Sequence, residues 1–196
     1  MYSAYILNPE KLEKLNNMKN SIVGTSELID SSGNVKPLDE KTVLNTNCYA
    51  YSLGIMYNHD CFSDYWSYTV GFTTNTHTCI HSDPDRLVEQ IKCDLMFLGL
   101  KYRYIPLNGN VSIKSNEYLI KVFHIPPFPD YPKCNFHFIR QDPKTKLWFH
   151  KWGWFRQPEY CKPTSKYEGP SIGFEPNFIE TPLFKCNPVC YFAIHY

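Results

Sequence analysis

The 196-residue sequence lacks any apolar run long enough to span a membrane, and its first ten residues lack the basic start and apolar core of a signal peptide. It also lacks an excess of charge: 20 basic and 19 acidic residues leave a formal net charge of +1. Because no charged patch points to nucleic acid or to a membrane surface, we expect neither as a partner. We expect a cytoplasmic protein, with association with a virus particle as the alternative.

Internal repeats and low-complexity tracts are also absent. The length and the 43% apolar content suit one domain with one sizeable core. Frequent Tyr, Phe and Pro favour a protein rich in strands and loops. We expect a single α+β domain over 1–196, with a core over about 45–152 and a Pro-rich wrap that ends in a closing strand over 153–196.

The eight cysteines do not form the framework of a small disulfide scaffold, and the missing signal peptide favours reduced thiols. The pair Cys186 and Cys190 could be two buried thiols, a strained disulfide or half of a metal site. The cysteines are Cys48, Cys61, Cys79, Cys93, Cys134, Cys161, Cys186 and Cys190.

Apolar periodicity predicts the order of the elements. Residues 9–20 and 84–98 have helical patterns, the second capped by Asp83, and a third helix begins near Asn47. The polar stretch over 24–36 is typical of a surface loop. Alternating and aromatic segments predict strands of an antiparallel sheet at about 101–105, 117–124, 134–141 and 146–152.

Cys48 would occupy the first turn of the helix that begins near Asn47. A thiol at a helix N-terminus is partly ionised by the helix dipole and the unpaired N–H groups. His137 and His150 lie on consecutive predicted strands, at or near opposed positions. The three residues together suggest a nucleophile, a general acid/base and a residue that orients the base: Cys48, His137 and His150.

An oxyanion hole would combine the Cys48 N–H with the side chain of Asn45 or Asn47. Lys151 is close enough to the proposed site to contact an acidic group of a substrate. The simplest interpretation of Arg140, Asp142 and Lys151 is nevertheless a solvated hairpin rim. The aromatic run that follows is more typical of core or loop packing than of a ligand platform: Trp148, Phe149, Trp152, Trp154 and Phe155.

The order of these elements resembles the papain-like cysteine peptidase superfamily over about residues 45–152. The segment Asn47-Cys48-Tyr49-Ala50-Tyr51 is similar to the nucleophile motif of the CHAP amidases, and His150 as third residue resembles the Cys-His-His arrangement of NlpC-type endopeptidases. The chain departs from the NlpC pattern in having Tyr49 and Ala50 after the nucleophile and no glycine beside His137. The resemblance implies a nucleophile-bearing helix packed on an antiparallel sheet, and a thiol peptidase or amidase that needs no cofactor and acts on a peptide or protein.

Two other classes remain open. In the first, Cys48 is only a core residue of a catalytically silent papain-like structural or binding protein, for example a particle component. In the second, alternating His and Cys side chains hold zinc or copper in a metal-stabilised binding module, for which His77, Cys79 and His81 are weak candidates.

Overall fold

The computed structural model describes residues 13, 16–17, 19–24, 27–56, 70–71, 83–127, 135–153, 156–161, 175–176, 179–180 and 185–196. The helices with given bounds are α1 (Glu40–Asn45), α2 (Cys48–Leu53) and α3 (Pro84–Phe97). The strands are β1 (Tyr102–Pro106), β2 (Glu117–Ile125), β3 (Asn135–Gln141), β4 (Trp148–Lys151), β5 (Pro158–Tyr160), β6 (Ile179–Glu180) and β7 (Lys185–His195). None of the helices in these ranges is both long and apolar enough to cross a bilayer.

The strands form one antiparallel sheet in the order β1-β7-β2-β3-β4-β5, and β6 also pairs with β7. The α+β class, the helices at 48 and 84 and the four predicted strands are confirmed, with bounds shifted by a few residues. The final strand was expected to close the sheet, but β7 lies inside it, between β1 and β2. The sequence did not predict α1, β5 or β6.

The two faces of the sheet carry different apolar clusters. Val122, Phe138 and Phe192 lie on the face that packs against α2 and α3. Phe123 and Ile139 lie on the other face, together with Trp148 and Tyr191. This division follows from the strand alternation, in which successive side chains point to opposite faces.

A β-bulge divides the two C-terminal cysteines. The register between β2 and β7 shifts between Val122 and Phe123. As a result Cys190 joins the cluster on the helix side, whereas Cys186 joins the cluster on the other face. Both are buried free thiols, so of the three interpretations of this pair the structure supports two separate core residues.

The short helix α2 is held by its surroundings. All six of its residues are buried, and an isolated helix of this length would not be stable in water. The Tyr49 ring packs 4.7 Å from the Phe138 ring, and the Tyr51 ring meets Phe149 edge to face at 5.9 Å. The stretch over 24–36 differs from the expected surface loop, because Leu28 and Ile29 are buried in the same cluster as Tyr51 and Phe149.

A buried carboxylate connects α3 to α2. Asp94 is fully buried and accepts hydrogen bonds from the Tyr49 hydroxyl at 3.2 Å and from the Gly71 amide at 2.7 Å. A buried charge is tolerated when hydrogen bonds replace its lost hydration. Asp94 therefore fixes the orientation of Tyr49, the residue that follows Cys48.

Gly54 ends α2 with φ at 77°, and a Cβ atom there would lie 2.5 Å from the carbonyl oxygen of Val23. Gly99 has a similar φ of 73° but nothing within 4 Å of its virtual Cβ, so it is a matched control. Both alanine variants incur the left-handed backbone cost of about 1 kcal/mol. We expect Gly54→Ala to lower the free energy of unfolding by about 2 kcal/mol more than Gly99→Ala, measured by urea denaturation. Equal losses would contradict the close approach.

Candidate active site

Cys48 is the first residue of α2. Asn47 caps the helix, because its side-chain oxygen accepts a hydrogen bond from the Ala50 amide at 2.8 Å. The thiol is only 6% exposed and receives hydrogen bonds from backbone groups of Phe138 and Tyr49. The predicted placement of Cys48 in the first turn is therefore confirmed.

The charge state of the thiol differs from the expectation. Burial raises the pKa of Cys48 to about 12, and the opposing effects of the Phe138 backbone and the positive charge of Lys151 are smaller. The expectation of a partly ionised thiol is therefore wrong for this structure, because the loss of hydration outweighs the helix N-terminus. The thiol is protonated at neutral pH.

The structure joins the two predicted histidines. His137 Nε2 lies 2.7 Å from His150 Nδ1, so one ring donates its N–H to the other. Both residues are buried. The strand register pairs His150 with Ile139, so the histidines are diagonal neighbours on one face, two residues away from the opposed position that the sequence suggested. Burial, and to a smaller extent the neighbouring His150, lowers the pKa of His137 well below its ordinary value.

Trp152 covers the histidine pair. Its ring stacks on His137 with centroids 4.1 Å apart and planes at 16°, and it meets His150 edge-on at 5.0 Å. The aromatic run around Trp152 indicated core or loop packing and not this contact with the histidines. Strand alternation could have predicted this contact, because Trp152 lies two residues after His150 and therefore on the same face. Extending the β3–β4 register by two pairs also places Trp152 opposite His137.

Cys48 approaches the same part of β3 from the other side. The Phe138 ring faces α2, so the adjacent His137 side chain projects from the opposite face of the strand. The thiol contacts the backbone of Phe138, the residue directly after His137. Among the described residues, no hydrogen bond joins Cys48 to His137 or His150. The two histidines are therefore joined to each other, whereas the thiol contacts β3 from the opposite face and is not joined to them.

The expected solvated rim is buried: Arg140 is 1% exposed, Asp142 3% and Lys151 0%. The Arg140 guanidinium lies over the Tyr118 ring and donates to the Ser52 carbonyl, while Asp142 accepts hydrogen bonds within the hairpin turn. Lys151 Nζ donates to the Gly153 carbonyl at 2.7 Å, and burial lowers its pKa to about 8. The rim interpretation was wrong because Arg140 and Lys151 are strand residues within the packed sheet, where Arg140 lies against Tyr118 and the nucleophile-bearing α2.

Of the other predicted site residues, the two asparagines lie beside α2, and the metal candidates are not described. Asn45 and Asn47 are both buried next to α2, and the side-chain oxygen of Asn47 is engaged in the helix cap. The weak metal candidates His77, Cys79 and His81 lie outside the described residues. Within the part of the chain that the structure describes, no group of three or more acidic, His or Cys side chains could hold a metal ion.

Comparison with known proteins adds no relative: no family model matches the chain, and no curated protein or solved structure is significantly similar to it.

The raised thiol pKa predicts how Cys48 reacts with methyl methanethiosulfonate, a small reagent specific for thiolates. Below the pKa of a thiol the thiolate fraction rises tenfold per pH unit. We expect the rate of Cys48 modification, followed by mass spectrometry, to rise about tenfold per unit from pH 7 to pH 10 without levelling. The modification rate of a small free thiol, which serves as the reference, should level off near pH 8.5. A plateau for Cys48 below pH 9 would contradict the protonated resting state.

The buried histidine pair predicts that His137 stays neutral in mild acid. Its folded-state pKa is lowered, so protons bind the unfolded chain first, and the stability that His137 contributes falls as the pH drops below about 6.5. We expect its imidazole ¹⁵N shifts to remain those of a neutral ring at pH 5.5, where a free histidine side chain is mostly protonated. Protonation of His137 near pH 6.5, as for a free histidine, would show that His137 is not desolvated.

Proposed function

We propose that the protein is a papain-like thiol hydrolase that cleaves an amide or isopeptide bond in a peptide or protein. One observation carries the proposal: His137 and His150 are hydrogen bonded at 2.7 Å beneath Trp152, and Cys48 contacts the next residue of the same strand. Nucleophilic catalysis requires a base that a second polar side chain orients, which the histidine pair supplies, and a helix-borne thiol that this base can reach.

The chemistry assigns one role to each residue. His137 accepts the thiol proton while the Cys48 sulfur attacks the carbonyl carbon. His137 then gives that proton to the leaving nitrogen as the C–N bond breaks and a thioester forms. A water molecule attacks the thioester and passes a proton through His137 to the departing sulfur. The products are a carboxylic acid and an amine, and the enzyme regains its thiol.

His150 selects the tautomer of His137. When His137 Nε2 donates to His150 Nδ1, the other nitrogen of His137 is the proton acceptor. The Trp152 ring keeps water from this bond and holds the ring plane of His137. For proton transfer, the His137 ring must come within hydrogen-bond distance of the Cys48 sulfur, which contacts β3 from its other face.

The burial of Cys48 favours a second candidate from another class. A thiol with a pKa of about 12 and no imidazole partner has the properties of an inert core cysteine. In that case the chain is a catalytically silent papain-like binding or structural protein. The buried histidine pair would then stabilise the hairpin of β3 and β4.

Peptide cleavage distinguishes the two candidates. Wild-type protein is incubated with a mixed peptide library, and new termini are identified by mass spectrometry. We expect Cys48→Ala to abolish cleavage, His137→Ala to reduce the rate by at least about 10²-fold and His150→Gln by about tenfold, because general acid–base catalysis contributes about 10² to 10⁴. Cys93→Ala is the matched control, since Cys93 is a half-buried thiol on α3 away from the histidines.

A second arm does not depend on the peptide sequence. An activated ester, p-nitrophenyl acetate, should acetylate Cys48 in the wild type, and His137→Ala should be acetylated more slowly because its thiol lacks the base that accepts the proton. Cleavage that survives Cys48→Ala would overturn the nucleophile assignment. Failure of both arms would favour the silent protein.

A further inference from the structure

Lys151 lies on the side of β4 that faces the nucleophile helix. Phe149, two residues earlier, packs edge to face against Tyr51 of α2, and side chains two residues apart share a face. Lys151 is thus the next side chain on that face. Extending the β3–β4 register by one pair places it opposite Phe138, whose backbone contacts the Cys48 thiol.

Helix and strand spacing agree with this placement. Cys48 precedes Tyr51 by three residues, which is about 4.5 Å along a helix. Lys151 follows Phe149 by two residues, which is about 6.6 Å along a strand. Tyr49 meets Phe138 and the Ser52 carbonyl meets Arg140, so α2 runs in the direction of β3 and opposite to β4. The contact between Tyr51 and Phe149 therefore brings Cys48 close to Lys151, and each residue affects the charge state of the other.

The ammonium of Lys151 is a buried charge. The residue has no exposed surface, and Nζ donates to the Gly153 carbonyl at 2.7 Å. Its pKa of about 8 keeps it predominantly cationic at neutral pH. A buried cation next to a thiol attracts the thiolate strongly, because little water screens the pair. The histidine pair cannot supply this charge at rest, since burial keeps His137 neutral.

We infer that Lys151 supplies the positive charge that stabilises the Cys48 thiolate, as a positioning residue that acts through the nucleophile. The inference rests on the proposed function, in which Cys48 is the nucleophile. It assigns separate tasks to the two faces of β3 and β4: the histidines move the proton, and Lys151 stabilises the negative sulfur that remains.

The test measures thiolate formation rather than turnover. The rate at which methyl methanethiosulfonate modifies Cys48 is compared at pH 7 for the wild type, Lys151→Met and Lys151→Arg, with the modified residue located by mass spectrometry. Methionine keeps the length and apolar stem of lysine without its charge. We expect Lys151→Met to react at least about tenfold more slowly, equivalent to a thiol pKa raised by about one unit, and Lys151→Arg to remain within threefold of the wild type.

Lys144→Met is the matched control, because Lys144 is exposed in the turn between β3 and β4. Cys48 in this variant should be modified at the wild-type rate. Circular dichroism establishes that each variant is folded. Equal rates for the wild type and Lys151→Met would overturn the inference alone. A Lys151→Arg protein as slow as Lys151→Met would overturn it too, by showing that shape matters rather than charge. A wild-type Cys48 that stays unmodified from pH 6 to pH 10 while Cys93 reacts would instead overturn the proposed function.

Discussion

The packing of α2 on β3 and β4 is the constraint on which the rest of the site depends. A six-residue helix has no stability of its own, so its position is set by the aromatic contacts of Tyr49 and Tyr51 and by the turn at Gly54. The same contacts bury Cys48 and bring its sulfur to the backbone of β3. The burial that makes the helix stable therefore also removes the water that would ionise the thiol.

Local signals account for the part of the fold that the sequence predicted. Asp83 caps the helix that it was expected to cap, and Asn47 caps the helix that was expected to begin near it. The β3–β4 hairpin also follows from local alternation and a polar turn. The position of β7 could not be predicted in this way, because pairing between strands far apart in sequence depends on the assembled sheet.

For the candidate site, the sequence indicated that the two histidines could meet but not how deeply its residues are buried. The spacing of His137 and His150 permitted a contact between them if the register placed both on one face, and the structure joins them. Burial was the quantity that the sequence did not reveal. Arg140 and Lys151 are charged residues beside a turn, a pattern typical of a solvated surface, yet both are enclosed by the sheet and the neighbouring segments. The same missing information led to the wrong expectation for the thiol.

At rest, burial leaves both the Cys48 thiol and the His137 imidazole uncharged. The thiol has a pKa of about 12, and the imidazole pKa lies below 6.5, so moving the proton from Cys48 to His137 would cost at least about 7 kcal/mol without further help. This cost fits within the barrier of an enzyme with ordinary turnover, but it leaves little for the attack on the carbonyl. A fixed cation is the simplest way to reduce the cost of this proton transfer, because a cation attracts the thiolate and not the neutral thiol. The buried Lys151 ammonium is in the position to do so, and for that reason the activity of Cys48 would depend on the strand next to that of His137 as much as on His137 itself.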